Sequence, residues 1–595
     1  MRIPDAASLA LVPLVFAVSA FGPGFWLVRR VGWRPIETAT AALALSILLV
    51  GLVSFDLGVL PLGFACRVLL FAACAAATLA SVPAIVSLVR GNREARGTLV
   101  WFTVLSLWAV SLQAVVRNYS GGNIVYDWLD HYERSKFFLG AMPIDKLFSG
   151  ALLPARPPLM NAFAAQILSL TRPRFPCYQL TAALLGLLAY FPMLHVSRLF
   201  SEAAGSRAAG VHRTLAIVLM FQPMFIQNVS YSWTRMTAVF FVMTMVGFYV
   251  AGWREGEPRK TLFAFVCGAA AILTHYSAAP YVLFLALHYV FFVLPRRARP
   301  ARELAAIALA AWVVLAPWFV WATAVYGGGT VSTAGFLSSG RPLPTVGGNL
   351  LKAALNLRDT FVPHLFRDVP GAWDLGGFSW GRVRDDAFLL YEGNLPLALG
   401  SLGAALLAIE AVRASRKARA RRREGEPART RSEGGTGADS VRFWAAFAAF
   451  VILTGIGVQG GREPLGLAHT AQQPLVMIGV AFLASRWGGW PPWMRRLAAA
   501  GLMVDACLGI LLHFWIQSHP LDLPTSWRGP LGLSLDDLTR MMAGWNWGVK
   551  QEGGHRFVAD VLGEGVFIPV ALAAVLFAVG ATTLLRLAFR RGATP

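Results

Sequence analysis

NIVYDWLDHYERSKFFLGAMPIDKLFSGALLPARPPLMN, residues 123–161, is a polar, acid-bearing stretch between hydrophobic runs long enough to cross a bilayer. Asp127, Asp130 and Glu133 recur at three-residue steps beside aromatic side chains, and an Arg-Pro-Pro turn follows at Arg156 to Pro158. At about 100° per residue, Asp127, Asp130, His131 and Arg134 share one arc of a helix, and Trp128, Tyr132 and Leu139 share the opposite one. Phe138 breaks the pattern from the polar side. The stretch therefore predicts an imperfect amphipathic helix lying at a membrane interface, apolar side down and carboxylates up. Its acids either do chemistry or merely solvate it.

The surrounding chain supplies the membrane. Its 595 residues are 56% hydrophobic and 14% charged, and the mean hydropathy is +0.56. So little charge cannot cover a water-soluble surface. Apolar runs fall near 7–28, 36–58, 62–89, 97–116, 178–200, 211–229, 233–252, 260–276, 278–294, 303–325, 389–412, 441–458, 470–486, 496–516 and 564–586. That predicts an all-α polytopic membrane protein of about fifteen transmembrane helices. The first run is followed by Arg29 and Arg30 rather than by a small-residue cleavage site, so it reads as a retained helix.

A net charge of +22 would suit a nucleic-acid partner, but its distribution argues against one. The basic residues sit in short clusters near 29–30, 90–96, 198–213, 254–260, 296–302, 413–435, 486–496 and 586–591. On the helix list above, all of these fall on one side, which the positive-inside rule makes the cytoplasm. The N-terminus is then outside and the C-terminus inside. The densest cluster, 413–435, reads as a cytoplasmic linker. On the other side the loops 117–177, 326–388 and 517–563 are too long to be mere connections, which places function there. Five cysteines without a CxxC spacing give neither a disulfide framework nor a zinc site.

Several outer residues join the acidic stretch as candidates. Arg156 brings a planar cation into the proline turn, where it would meet a phosphate or one of the loop's own acids. Tyr231, Trp233 and Arg235 lie at one short outer turn, and Thr274, His275 and Tyr276 at another. With Arg235 nearby, His275 becomes a phosphate-site candidate, although a lone histidine at a helix end is more often a hydrogen-bond partner. In loop 326–388, Arg341, Arg358, His364, Arg367 and Arg382 mix with Asp359, Asp368, Trp373 and Trp380. Arginines there would bind phosphate; the tryptophans would stack on sugars or anchor at the interface. Arg462 and Glu463 read as a salt bridge. Asn228–Ser230 matches the N-glycosylation pattern by chance, being tight against helix ends.

The Y-D-W-L-D-H-Y-E-R motif, the proline turn and the two long loops together resemble the GT-C superfamily of integral-membrane glycosyltransferases, of the mannosyltransferase and aminoarabinose-transferase kind. Those enzymes carry an acidic motif near the start of their first long outer loop, interfacial helices within it, and a second long outer loop after the seventh helix of the module. Counted from 97–116, the seventh helix here is 303–325, and loop 326–388 follows it. The resemblance divides the chain into a three-helix extension (1–96), the GT-C-like module (97–388), a helix with the basic linker (389–440) and a four-helix region (441–595). The extension departs from the simpler members.

The resemblance implies an inverting transfer from a polyprenyl-phosphate-linked sugar to a glycan, lipid or protein acceptor, outside the plasma (inner) membrane of a bacterium. A polyprenyl phosphate already leaves well, so the acceptor hydroxyl needs the help, and a carboxylate can take its proton. By carry-over of the acidic motif, Asp127 is the base and Asp130 the runner-up or an orienting partner. Glu133, His131, Arg156, Arg235, His275, Tyr276, Arg341 and Arg358 are the substrate-binding candidates. The resemblance fixes no cofactor, since some members need none, and a divalent ion on Asp127 and Asp130 stays open. The rivals are an envelope polysaccharide polymerase or ligase, a transporter or lipid flippase, and a non-catalytic envelope scaffold. A transporter would place its ionisable residues near mid-membrane in paired halves.

Overall fold

The computed structural model describes residues 5–60, 62–116, 119, 127–140, 142–148, 150–203, 210–332, 345–363, 390–423, 437–458, 472–511 and 556–589. Arg341, His364, Arg367, Asp368, Trp373, Trp380, Arg382, Arg462 and Glu463 lie outside the described residues. Those described are helical, with one isolated β-bridge between Phe148 and Ala151. The chain opens with α1 (Asp5–Val28), α2 (Pro35–Val59), α3 (Phe64–Gly91) and α4 (Arg93–Gln113). Then come α5 (Asp127–Phe137), α6 (Leu159–Leu170), α7 (Phe175–Leu187), α8 (Tyr190–Ala203), α9 (Val211–Phe221) and α10 (Pro223–Ser230). The next four are α11 (Arg235–Glu255), α12 (Pro258–Thr274), α13 (Ala279–His288) and α14 (Pro300–Tyr326). α15 (Val346–Phe361), α16 (Leu395–Ala398), α17 (Gly403–Arg423), α18 (Gly437–Val458), α19 (Gln472–Arg486) and α20 (Pro492–Asp505) follow. α21 (Val558–Leu562) and α22 (Phe567–Phe589) end the series.

Every predicted apolar run carries helix, but among the described residues nine helical segments are long and apolar enough to cross a membrane, against the expected fifteen. The difference has local causes. Pro223, which has no N–H to donate, splits the run 211–229 into α9 and α10, and the Gln222 side chain caps α10 by accepting from the Phe225 N–H. α12 has 17 residues and starts in charged sequence, and α19 has only 15. Asn92 alone separates α3 from α4: its side chain accepts from the Glu94 and Ala95 N–H groups at 2.9 and 3.0 Å, so one helix can end and another begin there. The resemblance implies interfacial helices in the first outer loop, but the bounds and the burial of one of them were not foreseen. α6, inside the expected outer loop 117–177, is buried at every residue from Leu159 to Leu168 and packs along α2.

The core lies around α11, on which every residue from Arg235 to Gly252 is buried. A helix that is apolar all round must be surrounded by other helices. α3, α14 and α22 instead present large exposed hydrophobics, among them Leu69, Leu309, Trp312 and Phe567, as helices in contact with hydrocarbon do. α1 and α2 approach closely at Gly24, where an added Cβ would stand 1.9 Å from the Ala42 carbonyl oxygen.

The helix ends gather into two polar layers. In one, Lys260 bonds Glu37 at 2.8 Å and Glu255 at 2.7 Å, Arg34 reaches Glu202 at 2.7 Å, and Arg198 pairs with Glu94. In the other lie Asp127, Arg156, the α10–α11 turn and the end of α12. There Tyr119 donates to the Ser230 carbonyl at 2.8 Å, and Tyr326 to the Ile144 carbonyl at 2.9 Å. The up-and-down run of helices thus brings residues far apart in sequence to one level.

Candidate active site

α5 is packed on both faces. Trp128 and Tyr132 are buried among Tyr119, Phe175 and Phe557, as the apolar side of the helix requires. The polar side is buried as well, with Asp130 5%, His131 2% and Arg134 1% exposed. The expected arrangement, carboxylates up toward water, is therefore corrected. The reason is that this face carries its own partners. Arg134 Nε donates to Asp130 Oδ2 at 2.9 Å and its NH1 to the Leu153 carbonyl at 2.6 Å, and the guanidinium stands 4.8 Å from the centre of the Phe148 ring. The proline segment that follows α5 folds back over it.

The three acids of the motif consequently part ways. Asp130 is held in the buried pair with Arg134, its second oxygen, Oδ1, lacking a hydrogen-bond partner. Glu133 pairs with Lys136 at 2.8 Å, one turn along the helix. Asp127, in the first turn of α5, keeps a side chain about one-fifth exposed and faces Arg156, whose NH2 donates to Oδ1 at 3.4 Å. That position also favours its negative charge, because the N-terminal N–H groups of the helix point toward it.

Arg156 is carried by a loop that the structure fixes from both sides. Tyr276 donates its hydroxyl hydrogen to the Pro154 carbonyl at 3.2 Å, and Trp318 Nε1 donates to the Tyr276 oxygen at 3.2 Å. Tyr276 thus reaches the site as a support for the proline loop. His275, one residue earlier, ends α12. Burial and the cations of Arg156 and Arg235, with His131 beside them, hold its pKa well below the ordinary value, and Asp127 counteracts this only in part. Its Nδ1 accepts from the Ser277 N–H at 3.2 Å, which leaves the proton of the neutral ring on Nε2. His131 is also kept neutral: burial lowers its pKa from 6.5 to about 4 despite the nearby carboxylates of Asp130 and Asp127. Asp127, His131, Arg156, Arg235 and His275 are therefore electrostatic neighbours, drawn from α5, the proline loop, α11 and the end of α12.

Arg235 opens α11. Its guanidinium lies 3.9 Å from the centre of the Trp233 ring and donates to Glu392 Oε2 at 2.7 Å. Glu392, in a helical turn over 390–393, is wholly buried and also accepts from Gln227 at 3.2 Å, from Asn228, and from Gln473 at 2.8 Å. Reading the sequence missed this residue. The signal was there: LLYEGNLPLAL carries a lone acid at the edge of an apolar run, where a charge persists only with partners. Tyr231 lies between the Tyr119 and Trp233 rings, tilted to both, and feels the Asp127 charge.

Arg358 is not brought into this group. It pairs with Asp359 at 3.0 Å on α15, which packs on α18. Arg341 lies outside the described residues. Among the described residues no three His, Cys, Asp or Glu side chains stand together as a metal-binding set, and one oxygen of Asp130 is taken up by Arg134. What the group offers chemically is one partly open carboxylate, two guanidinium groups and two neutral imidazoles within a mostly dry layer.

No protein-family model matches the chain, and no curated protein matches it. Among solved structures, two crystal structures of ArnT from Cupriavidus metallidurans are similar, one bound to undecaprenyl phosphate and one in the apo state. Each is 15% identical, with a TM-score of 0.44 over 83% of this chain and 78% of the solved one.

Proposed function

We propose that this chain is a membrane glycosyltransferase moving a sugar from a polyprenyl-phosphate donor to an acceptor hydroxyl at the outer membrane–water boundary, with inversion. The observation that carries the reading is the division of labour among the motif's acids. Asp130 is buried against Arg134, and Glu133, about as exposed as Asp127, is taken up by Lys136 on its own helix, whereas Asp127 faces Arg156 and lies near Arg235 and His275. In this reading the acceptor oxygen attacks the sugar's anomeric carbon, its proton passes to Asp127, and the bond to the phosphate oxygen breaks on the opposite face. Arg156 and Arg235 offset the charge gathering on the departing phosphate, and neutral His275 offers its Nε2–H as a hydrogen-bond donor without adding a third cation. Glu392 acts at one remove by holding Arg235 in place.

The test is direct transfer. Purified full-length protein in liposomes is supplied with labelled polyprenyl-phosphate sugars and a panel of glycan, lipid and peptide acceptors. The proposal expects label on an acceptor with inverted anomeric configuration. Failure of every donor, together with solute flux driven by a gradient, would replace it with the transporter reading.

A further inference from the structure

A second feature lies toward the opposite end of the helices. α1, α2, α4, α7 and α8 line a cavity of about 650 Å³, closed on one side by α3. α3 packs along α1 and touches α4 much less, so a gap is left between α1 and α4. Its walls are almost entirely apolar: Ala17 projects from α1, Leu99, Thr103 and Leu107 from α4, and Leu184 from α7. Leu99 and Leu107 remain 42% and 45% exposed, so the cavity opens sideways between helices that contact hydrocarbon. An apolar space several times the ~150 Å³ that stays dry in a protein interior does not hold ordered water, and left empty it forfeits the dispersion contacts of its lining.

The cavity has one polar end. Glu94 and Arg198 pair there. The buried Nε of Arg198 has no hydrogen-bond partner, nor does that of Arg213. His212, which is within electrostatic reach of both cations, lies against Gly97 of α4. The charges at this end are the Arg198–Glu94 pair and, acting on Arg198, the Arg34–Glu202 pair, with Arg213 acting on His212. This end is remote from Asp127: α4 runs from Arg93 beside the polar end to Gln113 beneath the site, and 21 residues rise about 30 Å.

We propose that the cavity is a binding site for one acyl chain of a phosphate-headed bilayer glycerolipid, with its headgroup at Arg198. The match is one of shape and of charge. A hydrocarbon chain supplies the contacts that the walls lack, and a phosphate offers an acceptor to the Arg198 guanidinium, whose Nε has no partner. The site is separate from the sugar-transfer reading and does not depend on it.

The test uses full-length protein in phosphatidylcholine liposomes holding a trace of phosphatidylglycerol with a photoreactive diazirine on its acyl chain. After illumination, labelled peptides are mapped by mass spectrometry while unlabelled phosphatidylcholine is raised tenfold. Label on the α4 segment 99–110 should survive that dilution, whereas label on the lipid-facing Leu309 and Trp312 of α14 should fall in proportion. Ala17→Trp and Thr103→Trp, which fill the cavity from opposite walls, should each cut the α4 label at least fivefold and leave the α14 label unchanged, which also reports that the fold is intact. Arg198→Gln should remove the advantage of phosphatidylglycerol over a diacylglycerol carrying the same chain. Parallel dilution of the α4 and α14 labels, an α4 label indifferent to both tryptophans, or its displacement by a long polyprenyl phosphate would each overturn the proposal.

Discussion

Removing Arg134 isolates a buried charge. In the native protein Asp130 and Arg134 form an ion pair with side chains 3% and 1% exposed, and Arg134 also serves the Leu153 carbonyl. Arg134→Met keeps the stem length but strands the carboxylate, and a buried pair broken on one side costs about 3–5 kcal/mol. Asp130→Leu combined with Arg134→Met strands neither charge, so most of that cost should return; the double variant should be more stable than the single one by roughly 2 kcal/mol or more. The assay is denaturant unfolding of purified protein in mixed micelles, with sugar transfer expressed per folded molecule. If Arg134→Met unfolds like the wild type, the pair is not structural. If the double variant is folded but inert while Arg134→Met retains transfer, Asp130 takes part in the chemistry and the assignment of its role fails.

Three further outcomes follow from the same geometry. His131 is buried neutral with a pKa near 4, so below its ordinary value of 6.5 only the unfolded chain takes up the proton, and stability is lost as pH falls from 6.5 toward 4. At pH 5 the loss from this one group is about 2 kcal/mol relative to pH 7.5, and His131→Gln should flatten the measured slope, leaving the part owed to His275; an unchanged slope would contradict the burial argument. Glu392→Gln removes the charge opposite Arg235 while keeping its shape, and transfer should fall about tenfold or more through a weaker donor KM, with acceptor KM unchanged; equal effects on both would show a general loss of structure. Gly24→Leu drives a side chain into the Ala42 carbonyl and should abolish accumulation of folded protein, whereas Gly32→Ala, with open space around it, should cost no more than about 1–2 kcal/mol. Fluorescence-detected size exclusion distinguishes the two.

The chain made its class plain through runs of apolar residues and the spacing of arginines between them, because hydrocarbon admits only backbone that is satisfied within its own segment. Individual spans were less legible. Nothing in hydropathy alone shows that Pro223 ends one helix and starts another, or that LMNAFAAQILSL is a helix buried within a segment that its polar neighbours mark as an outer loop. At the site, helical spacing gathered Asp127, Asp130, His131 and Arg134 on one face, and that much holds. Which way the face points was beyond reach, since it depends on a carbonyl of Leu153 and a ring of Phe148 that arrive later in the chain. The Arg156–Asp127 contact was one of two alternatives for Arg156, and a partly exposed pair at 3.4 Å does not forbid a phosphate from sharing that cation. Glu392 was overlooked because its partners, Gln227, Asn228, Arg235 and Gln473, lie more than eighty residues away on either side.

Transfer from a labelled polyprenyl-phosphate sugar by Asp127→Asn, measured beside Asp130→Asn under single-turnover conditions, tests the central claim most directly. The amide keeps the contact with Arg156 and removes the base, so turnover should fall about 100-fold or more, while Asp130→Asn, corrected for folded protein, should stay within a few-fold of the wild type. Wild-type turnover by Asp127→Asn together with a dead Asp130→Asn would contradict it.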